Sequence, residues 1–223
     1  IGYFRNFLNN EIETSLEIFY KDIHNVIDFA DDAFFIGNLY IDGEVRSGTG
    51  QAYGAEFLLR KNLGRFTGWL SYTYSKSLRT VKDINYGNEY VSPYDRPHNI
   101  SIVLNYEFNN RFDISATWVY NTGQPITYPY GKYTVDGITY SIYNGERNKS
   151  RYPDYHRLDL SATIKCKDRH KNWRGEWNIS VYNVYGRKNV WAVLFTPEDS
   201  NTIRTEQVSL FSVVPSISYN FKF

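Results

Sequence analysis

The sequence lacks any long hydrophobic run, and this absence excludes a helical membrane protein. No stretch of its 223 residues approaches the eighteen or so consecutive apolar residues that a transmembrane helix needs. The mean hydropathy is low, at −0.52. A membrane-spanning β-barrel is compatible with that value, because only alternate residues of each strand face lipid.

Net charge and cysteine are scarce as well. Lys and Arg number 25 against 24 Asp and Glu, which gives a net charge of +1. Nucleic-acid binding needs clustered positive charge, so we expect no nucleic-acid partner. The one cysteine, Cys166, cannot form an internal disulfide and does not indicate a redox compartment. We interpret it as an incidental thiol beside a basic turn.

Catalytic and cofactor motifs are also missing. The sequence contains no H-E-x-x-H, no paired-cysteine spacing, no phosphate-binding G-x-x-x-x-G-K and no G-x-S-x-G. The four histidines, His24, His98, His156 and His170, lie on separate predicted elements, and neither His98 nor His156 has metal-ligand spacing nearby. Asp31 and Asp32 could bind a hard cation, but we interpret them as solvated. We therefore predict no enzymatic activity, no catalytic residue, no metal and no cofactor.

Aromatic residues are abundant, and they alternate at the C-terminus. Aromatics make up 18% of the chain, with 21 tyrosines. Successive side chains of a strand point to opposite faces. One face of the last thirteen residues is therefore apolar and aromatic, and the other is mostly polar. The apolar face consists of Phe211, Val213, Pro215, Ile217, Tyr219, Phe221 and Phe223. Such a C-terminal strand is typical of transmembrane β-barrels.

The same period of two recurs along the chain and predicts eight strands. A clean example places Ile100, Ile102 and Leu104 opposite Ser101 and Asn105. The predicted strands are residues 11–28, 45–62, 65–81, 98–108, 111–121, 155–165, a seventh from 175 that extends past Gly186 to Phe195, and an eighth from about 205. Residues 1–10 are interpreted as the end of an earlier strand and a turn.

The predicted connections alternate between short and long. The short ones are residues 62–65, 109–111 and 166–174, and the long ones are residues 29–44, 82–97, 122–154 and 196–204. Outer-membrane barrels have short periplasmic turns and long extracellular loops. A soluble β-sandwich or propeller also alternates. Long strands, aromatics near the strand ends and charges on the polar faces favour the membrane barrel.

Five segments carry a resemblance to one family. They are Glu17–Asp22 with Val26–Asp28, Y-D-R-P-H-N at 94–99, R-Y-P-D-Y-H-R-L-D-L-S at 151–161, and W-N-I-S-V-Y-N-V-Y-G-R-K-N at 177–189, followed by the closing strand 216–223. Together they resemble the barrel of TonB-dependent outer-membrane receptors, most closely those of the Bacteroidetes.

The resemblance implies a 22-stranded barrel plugged by an N-terminal domain, in the bacterial outer membrane. On that basis the fold class is all-β, an antiparallel transmembrane β-barrel. Residues 1–223 would be its C-terminal segment, with the plug and earlier strands absent. The implied function is TonB-coupled import of a nutrient. Two alternatives stay open: a complete eight-stranded barrel that acts as an anchor or adhesin, and a soluble glycan-binding β protein.

Candidate site residues fall into three groups. The loop 122–154 predicts a small hairpin around Asp136-Gly137, with ligand-binding candidates Tyr128, Tyr130, Tyr133, Tyr140 and Tyr143. Lumen-facing candidates are Glu13, Glu17, Glu56, Arg60 and Asp159. The C-terminal barrel-assembly signal is Tyr219, Phe221 and Phe223. The implied partners are outer-membrane lipid, the TonB complex through the missing N-terminal part, the barrel assembly machinery and a surface lipoprotein of the SusD type.

Overall fold

The computed structural model describes residues 1–31, 33, 38–129, 131–136, 138–142, 146–166, 174–197 and 203–222. Within these residues the regular structure is almost entirely β-strand. The strands are β1 (Gly2–Phe7), β2 (Ile12–Phe29), β3 (Val45–Lys61), β4 (Phe66–Val81), β5 (Tyr90–Val91), β6 (His98–Asn109), β7 (Phe112–Asn121), β8 (Pro125–Ile126), β9 (Gly131–Val135), β10 (Ile138–Ile142), β11 (Ser150–Arg151), β12 (Tyr155–Lys165), β13 (Arg174–Tyr182), β14 (Val190–Pro197), β15 (Ile203–Ser209) and β16 (Val214–Lys222). Two short 3₁₀ helices cover Ile41–Glu44 and Asn85–Gly87.

One antiparallel sheet contains the long strands in the order β1-β2-β3-β4-β6-β7-β12-β13-β16, with β5 added to β4. Each long strand pairs with the next long strand along the chain, which is the connectivity of an up-and-down barrel wall. β2, β3 and β4 have 18, 17 and 16 residues. They exceed the 9–11 residues that span a bilayer, so they project beyond it.

The register of the sheet confirms the predicted separation of its faces. A row with charged or hydroxyl side chains at four of its six positions crosses six strands through the paired residues Glu13, Arg60, Trp69, Val103, Thr117 and Asp159. A row on the opposite face pairs Leu16, Phe57, Tyr72, Ile100, Tyr120 and His156. Below, the two sides are called the polar face and the apolar face.

The apolar face is not covered by a second layer in the described part of the chain. Ile217 is 65% exposed and Ile18 is 61% exposed, and Leu104 and Phe108 are also exposed. The small buried cluster of Val81, Ile84 and Tyr90 lies instead at the end of β4 and in the loop that follows. A water-soluble sandwich would bury its apolar strand faces between two sheets. The arrangement therefore fits a wall whose apolar face meets lipid.

Aromatic side chains bracket the apolar band on β7. Tyr120 lies near one end of this strand and Phe112 at the other, with Ile114, Ala116 and Trp118 between them on the same face. The eight rises from Phe112 to Tyr120 span about 27 Å along the strand. At a strand tilt of about 40° the height is about 21 Å, most of an apolar band about 25 Å tall.

Two predicted boundaries near the C-terminus are wrong. The seventh strand ends at Tyr182 and does not continue to Phe195, because Asn183 adopts φ 54° and Gly186 adopts φ 65°. Residues 190–197 form β14, which pairs with β15 in a separate hairpin. The closing strand begins at Val214, so the long connection covers residues 183–213.

The other connections follow the prediction. Short connections join β1 to β2, β3 to β4, β6 to β7 and β12 to β13, and long ones join β2 to β3, β4 to β6, β7 to β12 and β13 to β16. The long connections are called loops A, B, C and D in chain order. Loop C contains the predicted hairpin, formed by β9 and β10 on either side of Asp136. No helix among the described residues is long and apolar enough to cross a membrane.

Candidate functional site

All four long loops leave the sheet at the same rim, because the strands are antiparallel and consecutive. Three carboxylates, Asp28, Asp95 and Asp154, join these loops to the strands. Each belongs to one of the segments that carried the family resemblance. The rim is therefore the place where those segments meet.

A β-bulge directs Asp28 toward the polar face. The register of β2 against β3 shifts between His24 and Val26, where Asn25 adopts φ 58°. An extra residue reverses the alternation of every later side chain in a strand. Asp28 consequently pairs with Arg46 on the polar face, and its side chain is only 9% exposed.

Asp28 is the centre of a network that joins three segments. Its Oδ2 accepts a hydrogen bond from the Tyr90 hydroxyl at 2.8 Å and lies 3.4 Å from Nη1 of Arg79. Its Oδ1 lies 3.1 Å from Nη2 of Arg147, which comes from loop C. A nearly buried carboxylate needs such partners, because an unpaired charge is costly to desolvate.

Arg147 extends the network to loops A and B. Its Nη1 lies 3.0 Å from Oδ1 of Asp31, and its backbone N–H donates to Oδ1 of Asn85 at 3.0 Å. The Asn85 backbone N–H in turn donates to Oδ2 of Asp31 at 2.8 Å. The interpretation of Asp31 as a solvated residue is therefore wrong: it holds two other loops. Asp32 lies outside the described residues.

Tyr90 provides the apolar support of this network. Its ring packs with Val81 and Ile84, both fully buried. Burial raises the pKa of Tyr90 well above its usual value, and the hydrogen bond to Asp28 raises it further. The hydroxyl therefore remains a donor to the carboxylate throughout the neutral pH range.

Asp95 and Arg151 connect the segments 94–99 and 151–161. The Asp95 side chain is 1% exposed and forms an ion pair with Nη2 of Arg151. Its Oδ1 accepts the backbone N–H of Ser77 at 2.7 Å. Arg151 also donates to the carbonyl of Asp95 at 2.9 Å and to that of Gly123 at 3.1 Å. One ion pair thus holds loops B and C to β4.

Asp154 connects the segment 151–161 to loop D. Its carboxylate accepts the Tyr120 hydroxyl at 2.6 Å and the Gly123 backbone N–H at 2.9 Å, while Nη2 of Arg187 donates to its carbonyl at 2.8 Å. The pKa of Asp154 is lowered, chiefly by the Tyr120 hydrogen bond, with help from Gly123 and the nearby Arg187 and Arg151, and against the effect of partial burial.

The rim histidines have structural partners. Nδ1 of His98 lies 2.9 Å from the Tyr72 hydroxyl, and Nδ1 of His156 lies 2.8 Å from the Tyr185 hydroxyl. The Asn189 side chain hydrogen-bonds both the N–H and the carbonyl of His156. No group of three metal-ligating side chains occurs among the described residues.

An aromatic cleft opens between loops C and D at this rim. Its volume is about 470 Å³, and Tyr155 and Tyr182 line it from the polar face of β12 and β13. Further aromatic, amide and cationic groups in its wall are Tyr152, Trp191, Phe211, Asn121, Gln124, Asn189 and Arg96. Trp191 is 68% exposed, and Arg96 forms no ion pair with a described residue. Such a cleft offers stacking surfaces together with one positive charge.

The predicted tyrosine set is only partly described. Tyr128 packs edge to face against Phe195 of β14, with ring centroids 5.3 Å apart, and Tyr133 is exposed on β9. Tyr140 lies on β10, and Tyr130 and Tyr143 lie outside the described residues. A ligand role for these tyrosines stays a prediction. The hairpin itself is confirmed.

The predicted lumen residues share the polar face. Glu13, Arg60 and Asp159 occupy one row, and Glu17 lies directly opposite Glu56. Glu13 accepts a hydrogen bond from Asn62 at 2.7 Å, and Asp159 accepts the backbone N–H of Asn183 at 2.8 Å. Their position in a lumen stays a prediction. At the C-terminus Tyr219 and Phe221 share the apolar face of β16, and Phe223 lies outside the described residues.

The sequence pattern did not reveal Arg79, Arg147 or the cleft residues Trp191 and Phe211. Arg147 contacts Asp28 across 119 residues of sequence, and no local spacing indicates such a pair. One signal was present for Asp28. Asp28 falls at a position of β2 that strict alternation would place on the apolar face. A charged residue there indicates a bulge that returns its side chain to the polar face.

The sheet consists of consecutive antiparallel strands with one apolar and one polar face, and its long loops all lie at one rim. This arrangement is that of a membrane β-barrel protein. The family model for the TonB-dependent receptor-like β-barrel matches residues 2–184. The chain therefore belongs to this family, and it is an outer-membrane protein.

Two solved structures resemble the chain in fold. One is the FpvAI–pyocin S2 complex, with 13% identity, a TM-score of 0.57, and coverage of 97% of this chain and 26% of that one. The other is the ferripyoverdine receptor of the outer membrane of Pseudomonas aeruginosa bound to ferripyoverdine, with 13% identity, a TM-score of 0.56, and coverage of 97% and 25%. The chain spans about a quarter of either structure. No curated protein sequence matches it significantly.

Proposed function

We propose that residues 1–223 are the C-terminal part of the barrel of a TonB-dependent importer, whose plug and earlier strands lie outside this sequence. Family membership and coverage of about a quarter of each solved structure support this proposal. The open sheet supports it too. β1 and β16 lie at opposite ends of the strand order, and no described residues of the two strands pair. A complete eight-stranded barrel would join its first and last strands.

The loop rim is the proposed site of nutrient capture. The Asp28, Asp95 and Asp154 networks fix loops A to D against the strands, so the walls of the aromatic cleft are held in place before a ligand arrives. Preorganisation of this kind lowers the entropic cost of binding. The cleft is the observation that carries the proposal, since it joins stacking rings, amides and the exposed cation Arg96 at the entrance to the polar face.

The cleft favours a ligand with flat or ring-shaped groups and a negative charge. Rings stack on tyrosine and tryptophan, and a guanidinium binds a carboxylate or phosphate with two hydrogen bonds. The tyrosine hairpin of loop C is proposed to contact the same ligand or a surface lipoprotein of the SusD type. Glu13, Glu17, Glu56, Arg60 and Asp159 would line the passage. TonB would act through the absent N-terminal part.

Bound material tests the capture step. The receptor is purified from its native outer membrane, and co-purifying molecules are identified by mass spectrometry. We expect Trp191→Ala to remove most of this material, because Trp191 is an exposed ring of the cleft. Leu194→Ala is the matched control, since Leu194 is exposed on the same strand but does not line the cleft. Equal retention by the two variants would refute capture in the cleft.

Energy coupling is tested separately. Once the ligand is known, its uptake is compared in cells with and without TonB. We expect binding at the surface in both strains and accumulation only where TonB is present. Accumulation without TonB would refute active import.

A further inference from the structure

A second, larger cleft lies at the opposite rim, beside the short turns. Its volume is about 990 Å³, and four cations contribute to its wall: Arg111, Lys165, Arg174 and Lys222. Among the described lining residues the only carboxylate is that of Glu176, which accepts a hydrogen bond from Asn220 at 3.4 Å. None of the four cations forms an ion pair with a described residue. The chain as a whole is nearly neutral, so this local excess of positive charge is a specific feature.

The register places these cations on the polar face. Lys165 pairs with Glu176, which pairs with Asn220, and Arg174 pairs with Lys222. Their neighbours on the same side are Thr163, Asn178 and Ser218. The apolar residues Ile164, Trp177 and Tyr219 lie on the other side. Cys166, Gly175 and Phe221 also line the cleft and alternate with the cations, so the cleft lies at the rim itself, with its positive charge on the polar face.

The cations are also spread over a distance. Arg111 precedes β7, Lys165 ends β12, Arg174 begins β13 and Lys222 ends β16, so they span four neighbouring strands. At about 4.8 Å between strands, the row is about 14 Å wide. An extended peptide advances about 3.3 Å per residue, so four or five residues cover this width. A single phosphate would meet only one or two of the cations.

From this geometry we propose that the basic cleft docks an acidic peptide segment that enters from the short-turn side. Several carboxylates of one segment would face the four cations, and the complementary charge would fix its position on the polar face. This docking is independent of nutrient capture, because the two clefts lie at opposite rims and share no residue.

Peptide binding provides the test. The protein purified from its native outer membrane is titrated in detergent, at low ionic strength, into a fluorescein-labelled hexaglutamate peptide, and anisotropy is recorded. We expect Arg174→Glu and Lys222→Glu each to weaken binding by roughly threefold to tenfold, since exposed charge pairs contribute modestly. Added salt should weaken binding as well. Arg65→Glu is the matched control, because Arg65 is an exposed cation of the same rim outside the cleft.

A second readout locates the bound peptide. Cys166 lines the cleft and is the only cysteine of this chain. Hexaglutamate should slow its alkylation by neutral iodoacetamide, followed by mass spectrometry of the Cys166 peptide, and a hexalysine peptide should not. Unchanged alkylation, or equal affinity of the Arg174→Glu and Arg65→Glu variants, would overturn the proposal. Inorganic phosphate is added at the same total concentration of negative charge as the peptide, and phosphatidylglycerol vesicles are added in a separate titration. Displacement of hexaglutamate by the phosphate would overturn the peptide proposal in favour of a small-anion site, and displacement by the vesicles would overturn it in favour of a lipid site.

Discussion

At the scale of single residues, three aspartates hold the outer loops to the rim. Asp28, Asp95 and Asp154 each accept hydrogen bonds from more than one segment. A carboxylate offers about four acceptor positions, so one side chain can join a strand to two loops. Removal of a partner leaves a poorly solvated charge behind, which costs far more than loss of an exposed pair.

The contribution of Arg147 can be measured by substitution. We expect Arg147→Ala to release loop C from loops A and B, with a loss of about 2 kcal/mol of local stability, because two ion pairs to Asp28 and Asp31 disappear. Hydrogen exchange of backbone amides 146–151 is the measurement. Lys149→Ala is the control, since its pair with Glu146 is exposed, at 68% and 67%. Equal exchange in both variants would contradict the role of Arg147.

Close backbone approach gives a second prediction. A Cβ atom at Gly123 would lie 1.7 Å from the backbone oxygen of Tyr152. Gly123→Ala should therefore force loop C away from β7 and break the hydrogen bonds of Gly123 with Asp154 and Arg151. We expect protease cleavage within residues 122–154 at least tenfold faster than in the unmodified protein. Gly43→Ala is the control, because its Cβ would meet no atom within 4 Å. Equal cleavage rates would show that the rim tolerates the displacement.

The pH dependence of Tyr90 follows from its raised pKa. Tyrosine ordinarily ionises near pH 10. Because the folded pKa is higher than the unfolded one, its stabilising effect is complete below pH 10 and is lost as pH rises through the folded pKa. The absorbance at 295 nm of the unmodified protein minus that of Tyr90→Phe should show no ionisation step near pH 10. A step there would mean that Tyr90 is solvated.

At the scale of elements, the alternation of each strand separates two environments. On β12, Leu160 lies on the apolar face midway between His156 and Ile164, and Ser161 lies on the polar face. An arginine in the middle of a lipid-facing strand costs about 2–4 kcal/mol, whereas an arginine toward water does not.

A pair of adjacent substitutions tests this assignment. Leu160→Arg should lower the free energy of unfolding into urea by about 2–4 kcal/mol, and Ser161→Arg should change it by less than about 1 kcal/mol. Unfolding of the complete receptor in lipid vesicles, followed by tryptophan fluorescence, provides the values. A larger loss for Ser161→Arg would reverse the two faces.

Strands with a sustained period of two could be predicted from sequence, and irregular segments could not. The limits of β12 agree with the prediction because its alternation is complete from Tyr155 to Lys165. The error after Tyr182 arose because apolar residues continue to alternate through a turn that Asn183 forms with Arg187 and Ser212. The rim site depends on contacts between distant segments, such as Arg147 with Asp28, and one sequence holds no pattern for them.

At the scale of the whole molecule, the sheet leaves β1 and β16 at its two ends. Its path contains nine strands among the described residues, whereas single-chain outer-membrane barrels of bacteria have an even number. Unpaired strand edges cannot face lipid, because their N–H and C=O groups would lack partners. On the proposal that residues 1–223 are part of a larger barrel, further strands would pair with these two edges.

This pairing predicts different behaviour for the isolated segment and the native protein. Residues 1–223 expressed alone and refolded in detergent should aggregate through the free edges and give no folded monomer with heat-modifiable mobility on a gel. The protein extracted from its native membrane should give such a band at a mass several times 26.2 kDa, the mass of this chain. A single heat-modifiable band from residues 1–223 alone would show that the two edges can pair with each other. The larger importer barrel would then be the wrong assembly.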